Sequence, residues 1–361
     1  MSLTAERTKV SAVVDRSEID DLVERANQAL DAYATFDQAQ IDRIVRKAAV
    51  AALDRHGELA ELAVTETGRG VFEDKAVKNI FACEHITHSI AKLRSVGVIN
   101  HDELTGITEI AEPVGVVCGV TPVTNPTSTT IFKALIALKT RNPIVFAFHP
   151  GAQQASVEAA RVVRDAAVAA GAPEHCVQWV TRPSIETTNE LMRHPGVALI
   201  LATGGNAMVR AAYSCGKPAL GVGAGNVPAY IERTARLARA VNDVVMSKAF
   251  DNGMICASEQ AAILDDAIYD AAMAEFARLH AYRCSPEEKA KLERLIFGVD
   301  AAGANCAEAK LNAAVVGQSA VRVAEMAGFT VPADTSILLA EVSGVGPAEP
   351  LTREKLCPVL A

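Results

Sequence analysis

The chain has 361 residues, 50% of them apolar but only 4% aromatic, and its 35 basic and 43 acidic side chains give a net charge of −8. This length accommodates two domains and a sizeable core. The absence of a lysine–arginine cluster argues against nucleic-acid binding, and no run of 18 apolar residues indicates a membrane span. The first ten residues lack the apolar core of a signal peptide, which favours a cytoplasmic location.

The first hundred residues are predicted to be largely helical. Apolar residues recur at helical spacing over 18–55, which indicates two amphipathic helices. A further helical segment over 58–94 is interrupted by glycines near its middle. His85 and His88 lie three residues apart on that segment and could form a metal pair. No third ligand is evident, so a partly exposed helix face is the better interpretation.

A change of period marks the next segment. Residues 104–113 alternate apolar and polar side chains, which predicts a β-hairpin arm with one exposed face. We assign 99–113 to this arm and expect it to contribute to a homo-oligomer, either a dimer or a tetramer.

From residue 114 onward, apolar strands alternate with helices. The predicted strands are 114–120, 143–148, 176–180, 197–202 and 218–222, and the predicted helices are 126–140, 156–170, 185–193 and 206–215. Such alternation is typical of parallel strands covered by helices on both faces. The predicted fold class is therefore α/β, with an open, Rossmann-like parallel sheet that binds a nucleotide at the carboxyl ends of its strands.

The last third of the chain is predicted to form a second α/β domain. A helix over 234–250, with Thr234 as its N-cap, leads into a flexible loop. Strands at 260–264 and 337–342, helices at 266–280, 286–296 and 319–327, and a loop at 300–310 are predicted to follow. We assign 1–98 and 114–230 to a dinucleotide-binding domain and 231–361 to a catalytic domain.

Eight cysteines are scattered along the chain without a C-x-x-C pair, which argues against a zinc site or a disulfide framework. Cys256 differs from the others because it lies among small and flexible residues, in the sequence DNGMICASEQ at 251–260. A thiol in such a loop between two domains can reach a substrate and act as a nucleophile. It must ionise to react, and neither Asp251 nor Glu259 is an obvious activator.

Three glycine- or proline-containing turns follow predicted strands, and each has a structural alternative. The sequence GVGAGN at 221–226 resembles a dinucleotide fingerprint, but an extended segment follows it where a helix is required. Close passage of this backbone beside a ligand or the Cys256 loop is the better interpretation. Asn125 could simply cap the next helix, or its amide could donate to a developing oxyanion. Residues 203–205 could bind a phosphate or form a tight turn.

Taken together, these stretches resemble the aldehyde dehydrogenase superfamily, and most closely its CoA-acylating branch, the aldehyde dehydrogenase half of bifunctional aldehyde–alcohol dehydrogenases. The matching segments are EPVG at 112–115, TNPTST at 124–129, FKAL at 132–135, KTRN at 139–142, TGG at 203–205, SCGKPALGVG at 214–223, DNGMICASEQ at 251–260 and EKLCPV at 354–359. The resemblance implies that Cys256 attacks an aldehyde and that Asn125 and the Cys256 backbone N–H bind the oxyanion. It also implies that hydride passes to NAD and that CoA, as co-substrate, removes the acyl group.

The resemblance further implies where the dinucleotide binds. The expected cofactor-binding residues are Thr124, His149, Pro150, Thr203, Gly204, Gly205, Gly223, Glu354 and Leu356. His149 and Pro150 would lie near the adenosine ribose, and residues 203–205 near the pyrophosphate. Glu354 would bind the nicotinamide ribose, with Leu356 beside the ring. NAD is expected in preference to NADP, and no metal is expected.

Two departures from the family pattern refine this interpretation. Hydrolytic relatives carry a water-activating Glu where residues 221–227 have no carboxylate, which favours release of the acyl group to a thiol. Family members also continue beyond residue 359, so we expect a C-terminally truncated chain with a partial catalytic domain. An acyl-phosphate-reducing semialdehyde dehydrogenase and an inactive module that binds a nucleotide or a partner remain as alternatives.

Overall fold

The computed structural model describes residues 16–298, 309–346 and 348–361. In these residues the N-terminal part is helical, with a π-helical turn at Phe81–His85 between the last two helices. The helices are α1 (Arg16–Tyr33), α2 (Gln38–Asp54), α3 (His56–Thr67), α4 (Phe72–Ile80) and α5 (Ile86–Ala91). Asp37 begins α2 with a capping box, and Gly68 ends α3 in the left-handed conformation. The predicted amphipathic helices are confirmed, and His85 and His88 are both exposed.

A two-stranded antiparallel hairpin follows the helices. It consists of β1 (Gly97–Asp102) and β2 (Ile107–Ala111). Most of its side chains are exposed, including Val98, Ile107 and Ile110. The predicted hairpin arm is confirmed.

A five-stranded parallel sheet forms the centre of the molecule, with strand order β5-β4-β3-β6-β7. Its strands are β3 (Val116–Val120), β4 (Ile144–Ala147), β5 (Val177–Trp179), β6 (Val197–Thr203) and β7 (Ala219–Val222). The connecting helices are α6 (Pro126–Lys139), α7 (Gln153–Ala169), α8 (Ile185–Arg193) and α9 (Asn206–Tyr213). One core packs α2, α6 and α7 against the sheet, and a second packs α1 and α8 against it. The predicted α/β fold class and the alternation of strands and helices are confirmed.

The remaining elements form a second group of parallel strands with helices. They are β8 (Val227–Ile231), α10 (Leu237–Ala249), β9 (Glu259–Leu264), α11 (Tyr269–Arg278), β10 (Ala281–Arg283), α12 (Pro286–Phe297), α13 (Ala320–Ala327), β11 (Ile337–Leu339) and β12 (Val359–Leu360). Strand β8 pairs with β9, and β11 pairs with both β10 and β12. Ala361 joins the two sets, because its N–H donates to Gln260 O (3.1 Å) and its carbonyl accepts from Ala262 N (2.9 Å).

The structure corrects two details of this region. Thr234 is not a helix N-cap: α10 begins at Leu237, and the Thr234 hydroxyl donates to Glu232 in the preceding turn. Strand β10 was not predicted, since its three residues are too few for a recognisable period. Most of the predicted loop at 300–310 lies outside the described residues. No helix in the described part of the chain is both long and apolar enough to cross a membrane.

Candidate active site

A cavity of about 840 Å³ lies where β3, β4, β6 and β7 end at their carboxyl termini. It is lined by all eleven residues predicted from the sequence as catalytic or cofactor-binding: Thr124, Asn125, His149, Pro150, Thr203, Gly204, Gly205, Gly223, Cys256, Glu354 and Leu356. The structure therefore brings these residues together, while their individual roles remain predictions. A separate cleft of about 390 Å³, between β9, β12 and α11, contains none of them.

The loop before Cys256 is held in an unusual backbone conformation. Asp251, Asn252 and Gly253 all have positive φ values, of 49°, 53° and 69°. For the two residues that carry a Cβ, this conformation is costly and needs support from the surroundings. Asn252 gains that support by donating its side-chain amide to Gly317 O at 3.0 Å.

Asp251 is the main anchor of this loop. Its carboxylate is fully buried and accepts from the backbone N–H of Val71 (2.8 Å) and from the ammonium groups of Lys75 (3.0 Å) and Lys78 (2.5 Å). All three donors belong to α4 or to the residue that precedes it. Asp251 thus fastens the Cys256 loop to the N-terminal helices, which gives this carboxylate a structural role.

Lys78 connects the Cys256 loop to Asn125. Its ammonium donates to Asn125 Oδ1 (2.7 Å), to Asp251 Oδ2 and to Met254 O (2.9 Å), so all three of its protons are used. Burial lowers the pKa of Lys78 to about 8, an effect that the Asp251 carboxylate partly offsets. Lys75, one helical turn earlier, donates to Thr124 O (3.0 Å) and Asp251, and burial lowers its pKa as well.

The structure shows that the Asn125 side chain does not cap α6, which was the simplest interpretation of this residue. Asn125 stands at the N-cap position of α6, but its side chain makes no capping hydrogen bond. Its oxygen is bound by Lys78, and its Nδ2 donates to Thr124 Oγ1 at 3.2 Å. A carboxamide nitrogen carries two protons. This contact uses one of them, which leaves a second N–H available as an oxyanion donor.

The glycines at 221–226 allow two backbones to pass very close to each other. A Cβ at Gly225 would lie only 1.9 Å from the carbonyl oxygen of Cys256. The segment continues into β8, not into a helix, so it is not a dinucleotide fingerprint. The predicted close approach to the Cys256 loop is confirmed.

Glu354 reaches the same point from another part of the chain. Its Oε1 accepts from the backbone N–H of Gly225 at 2.9 Å. Burial raises the pKa of Glu354, and the Gly225 N–H and the Lys248 ammonium partly counter this shift. A carboxylate held in this way beside the cavity can accept hydrogen bonds from ligand hydroxyls.

At the β6 end of the cavity, the turn at 203–205 leads directly into a helix. Gly204 N donates to Val222 O at 3.1 Å, and Gly205 is the N-cap of α9 without any side-chain acceptor. Both the tight-turn interpretation and the phosphate-binding interpretation fit this geometry.

The β4 end of the cavity contains the predicted His149 together with two charged residues, Arg69 and Glu66, that the sequence analysis did not name. His149 Nδ1 accepts from Gly151 N at 3.0 Å, and burial together with the Arg69 charge lowers the pKa of His149. Arg69 donates to the carbonyls of Ala313 (2.7 Å) and Val316 (3.0 Å). Glu66 also lines this end.

Comparison with known proteins agrees with this geometry. The sequence model described as "Aldehyde dehydrogenase family" matches residues 4–287. The chain belongs to the aldehyde dehydrogenase family. It is 63% identical over 360 residues to the aldehyde-alcohol dehydrogenase of Streptococcus pneumoniae, an alignment that covers 100% of this chain and 40% of that protein. The chain thus spans about 40% of the length of this curated relative.

Solved structures of the aldehyde dehydrogenase family superpose on nearly the whole chain. An acetylating aldehyde dehydrogenase from Geobacillus thermoglucosidasius is 46% identical with a TM-score of 0.89, covering 95% of this chain and 74% of its own. A propionaldehyde dehydrogenase from Rhodopseudomonas palustris, solved with bound CoA and an acylated cysteine, is 32% identical with a TM-score of 0.81. That alignment covers 95% of this chain and 76% of the other.

Proposed function

We propose that this chain is a CoA-acylating aldehyde dehydrogenase that converts an aldehyde, NAD and CoA reversibly into acyl-CoA and NADH through a thioester on Cys256. The observation that carries the proposal is the meeting of Cys256 and Asn125 in one cavity at the strand ends. The acylated cysteine and bound CoA of the Rhodopseudomonas relative support it.

In the proposed reaction, the Cys256 thiolate adds to the aldehyde carbon and forms a carbon–sulfur bond. The carbonyl oxygen becomes an oxyanion, to which the Asn125 amide and the Cys256 backbone N–H donate. Lys78 keeps the Asn125 oxygen turned away, so that the amide nitrogen faces the developing charge. After the substrate carbon loses hydride, Cys256 holds the acyl group as a thioester until CoA attacks it and the Cys256 thiolate leaves.

The residues of the cavity fit a bound dinucleotide. Gly204, Gly205 and Gly223 present backbone without side chains, and Glu354 offers a carboxylate to ribose hydroxyls. NAD, when bound, would supply the hydride acceptor. His149 and Pro150 would lie at its adenosine end, and Thr124 and Leu356 would contact its nicotinamide half.

The decisive experiment mixes the protein with acetaldehyde and NAD and follows NADH absorbance with and without CoA. We expect CoA-dependent NADH formation in the wild type and none in Cys256→Ala. Formation that is independent of CoA, or that survives Cys256→Ala, would refute the proposal. Turnover with phosphate in place of CoA would favour the acyl-phosphate-reducing alternative, and cofactor binding without any turnover would favour the inactive module.

Thiol labelling provides a second test of the nucleophile. Cys256 is partly accessible, whereas burial raises the pKa of Cys83, Cys118 and Cys284 to about 12. Only the thiolate is nucleophilic, so iodoacetamide at pH 8 should label Cys256 far faster than these three. Peptide mass spectrometry would measure this order, and prior labelling of Cys118 would contradict it.

We also propose that the β1–β2 hairpin contributes to a homo-oligomer. Its support is the exposed apolar surface of Val98, Ile107 and Ile110, which are 46%, 58% and 59% accessible. Ultracentrifugation should show a lower oligomeric state for the Ile107→Lys and Ile110→Lys double variant than for the wild type. An unchanged state would refute this assignment.

A further inference from the structure

The first turn of α7 is capped by a side chain from a distant helix. α7 begins at Gln153, and its N-cap residue, Ala152, has no side chain that can accept a hydrogen bond. Glu66 of α3 takes that role: its two carboxylate oxygens accept from Gln154 N (2.9 Å) and Ala155 N (2.7 Å). Glu66 also lines the cavity, so the residue that caps α7 belongs to the cavity wall.

A helix N-terminus normally attracts anions, because its unpaired N–H groups carry partial positive charge. Here the Glu66 carboxylate already occupies that position. A second anion, such as a phosphate group, would find these N–H groups taken and would meet a like charge. A carboxylate that accepts two hydrogen bonds still has lone pairs for hydroxyl donors. This corner of the cavity is therefore suited to neutral hydroxyl groups.

Two basic side chains also line the cavity, and the hydrogen bonds that they make are to backbone groups. Among the described residues that line the cavity, the basic side chains are those of Arg69 and His149. Arg69 donates two hydrogen bonds to the backbone carbonyls of residues 313 and 316. His149 Nδ1 accepts from Gly151 N and is therefore unprotonated at that nitrogen. Burial and the Arg69 charge keep the pKa of His149 low.

The position of Glu66 relative to Cys256 indicates which part of a dinucleotide it would meet. Cys256 contacts the segment that follows β7, whereas residues 149–151 follow β4. The sheet order β4-β3-β6-β7 separates these two strand ends by three strand spacings, roughly 14 Å. Because the hydride acceptor must lie beside Cys256, the adenosine half extends toward β4.

We propose that Glu66 is a specificity-determining residue that selects a dinucleotide with a free adenosine 2′-hydroxyl over one with a 2′-phosphate. In many nucleotide-binding sheets an acidic residue at the end of the second strand performs this selection. Here the corresponding strand, β4, is followed by His149 and Pro150, and α3 supplies the carboxylate. This inference rests on the proposed function, since it treats the cavity as the dinucleotide site.

The test uses two adenosine probes that require no turnover. Calorimetry on the full chain would compare 5′-AMP with adenosine 2′,5′-bisphosphate for the wild type, Glu66→Ala and the control Glu61→Ala. Glu61 is exposed on the same helix, so its removal changes the net charge equally. We expect the wild type and the control to bind 5′-AMP at least tenfold more tightly than the bisphosphate. In Glu66→Ala this ratio should fall at least tenfold, mainly through tighter bisphosphate binding.

Glu66→Gln serves as a second variant if loss of the helix cap unfolds Glu66→Ala, because the amide still offers one acceptor to α7. An unchanged binding ratio in both variants would refute the inference. Selective 5′-AMP binding without aldehyde turnover would refute the proposed function and leave the role of Glu66 intact. Equal turnover of NAD and NADP by the wild type would refute the role of Glu66 alone.

Discussion

Replacing Lys78 by Met is the sharpest test of how this site is assembled. The substitution keeps an unbranched side chain of similar length and removes three hydrogen bonds together. Asp251 would keep Lys75 and the Val71 N–H as partners. Asn125 Oδ1 and Met254 O would each lose their Lys78 donor. Lys75→Met is the matched control, because it removes an equivalent ammonium from Asp251 but leaves the contact with Asn125 intact.

The expected loss of stability is modest. Two buried acceptors without a donor cost about 2–6 kcal/mol in total. Burial and the opposing Asp251 interaction together lower the pKa of Lys78 to about 8, a net cost of roughly 3 kcal/mol for its charged form that the substitution removes. The free energy of unfolding should therefore change by between a gain of about 1 kcal/mol and a loss of about 3 kcal/mol, and Lys75→Met should fall in the same range.

The expected effect on catalysis is much larger for Lys78. Without its oxygen anchored, the Asn125 amide can rotate away from the oxyanion, and loss of such a donor lowers kcat about 10²–10³-fold. Lys75→Met should lower kcat less than about fivefold, equivalent to about 1 kcal/mol of barrier.

The assay is CoA-dependent NADH formation, with thermal unfolding measured in parallel. Asn125→Ala and the Asn125→Ala/Lys78→Met double variant complete a cycle. If Lys78 acts through Asn125, these two variants should have similar kcat values. Equal losses in Lys78→Met and Lys75→Met, or fully additive losses in the double variant, would refute the reasoning.

Two further predictions concern close packing and pH. Gly225→Ala should lower kcat about 100-fold. The added Cβ would lie 1.9 Å from the Cys256 carbonyl oxygen, so the Cys256 backbone would have to move. Gly57→Ala, which adds a Cβ with no atom within 4 Å, should be active, and full activity of Gly225→Ala would contradict the geometry. Burial lowers the pKa of Lys133 to about 7, so above pH 7 the folded state binds fewer protons than the unfolded state. Denaturant titrations from pH 7 to 9 should show wild-type stability rising relative to Lys133→Met, by up to about 1.4 kcal/mol per pH unit; a constant difference would show that Lys133 keeps its proton.

The sheet and its helices were predictable because their signals are local. Continuous apolar runs and helical spacing identify the strands and helices of the central sheet within a few residues. Strand β10 could not be predicted because its three residues, Ala281–Arg283, are too few to show a period. They form a strand through pairing with β11. Thr234 was misassigned as a cap because a threonine hydroxyl also suits the turn that precedes α10.

The cavity was predictable in outline for a different reason. Parallel strands end at one edge, so turns after strands meet there, and the family resemblance named the residues on them. The supporting groups were not predictable. Lys78 and Glu66 act on partners 173 and 89 residues away, and neither stands in a local pattern that reveals it. Likewise, only tertiary structure shows that Asn125 is held by a lysine and does not cap its helix.

The long-range contacts of α4 and of the loop between α3 and α4 determine when this site can form during synthesis. Lys78 is translated 173 residues before Asp251, and Arg69 is translated 247 residues before Val316. The five-stranded sheet, complete by Val222, can fold first from contacts within the chain already made. The Cys256 loop can dock onto α4 only once Asp251 has been made. Such distant pairings slow folding, and the nucleophile acquires its surroundings only after both partners of each pairing have been translated.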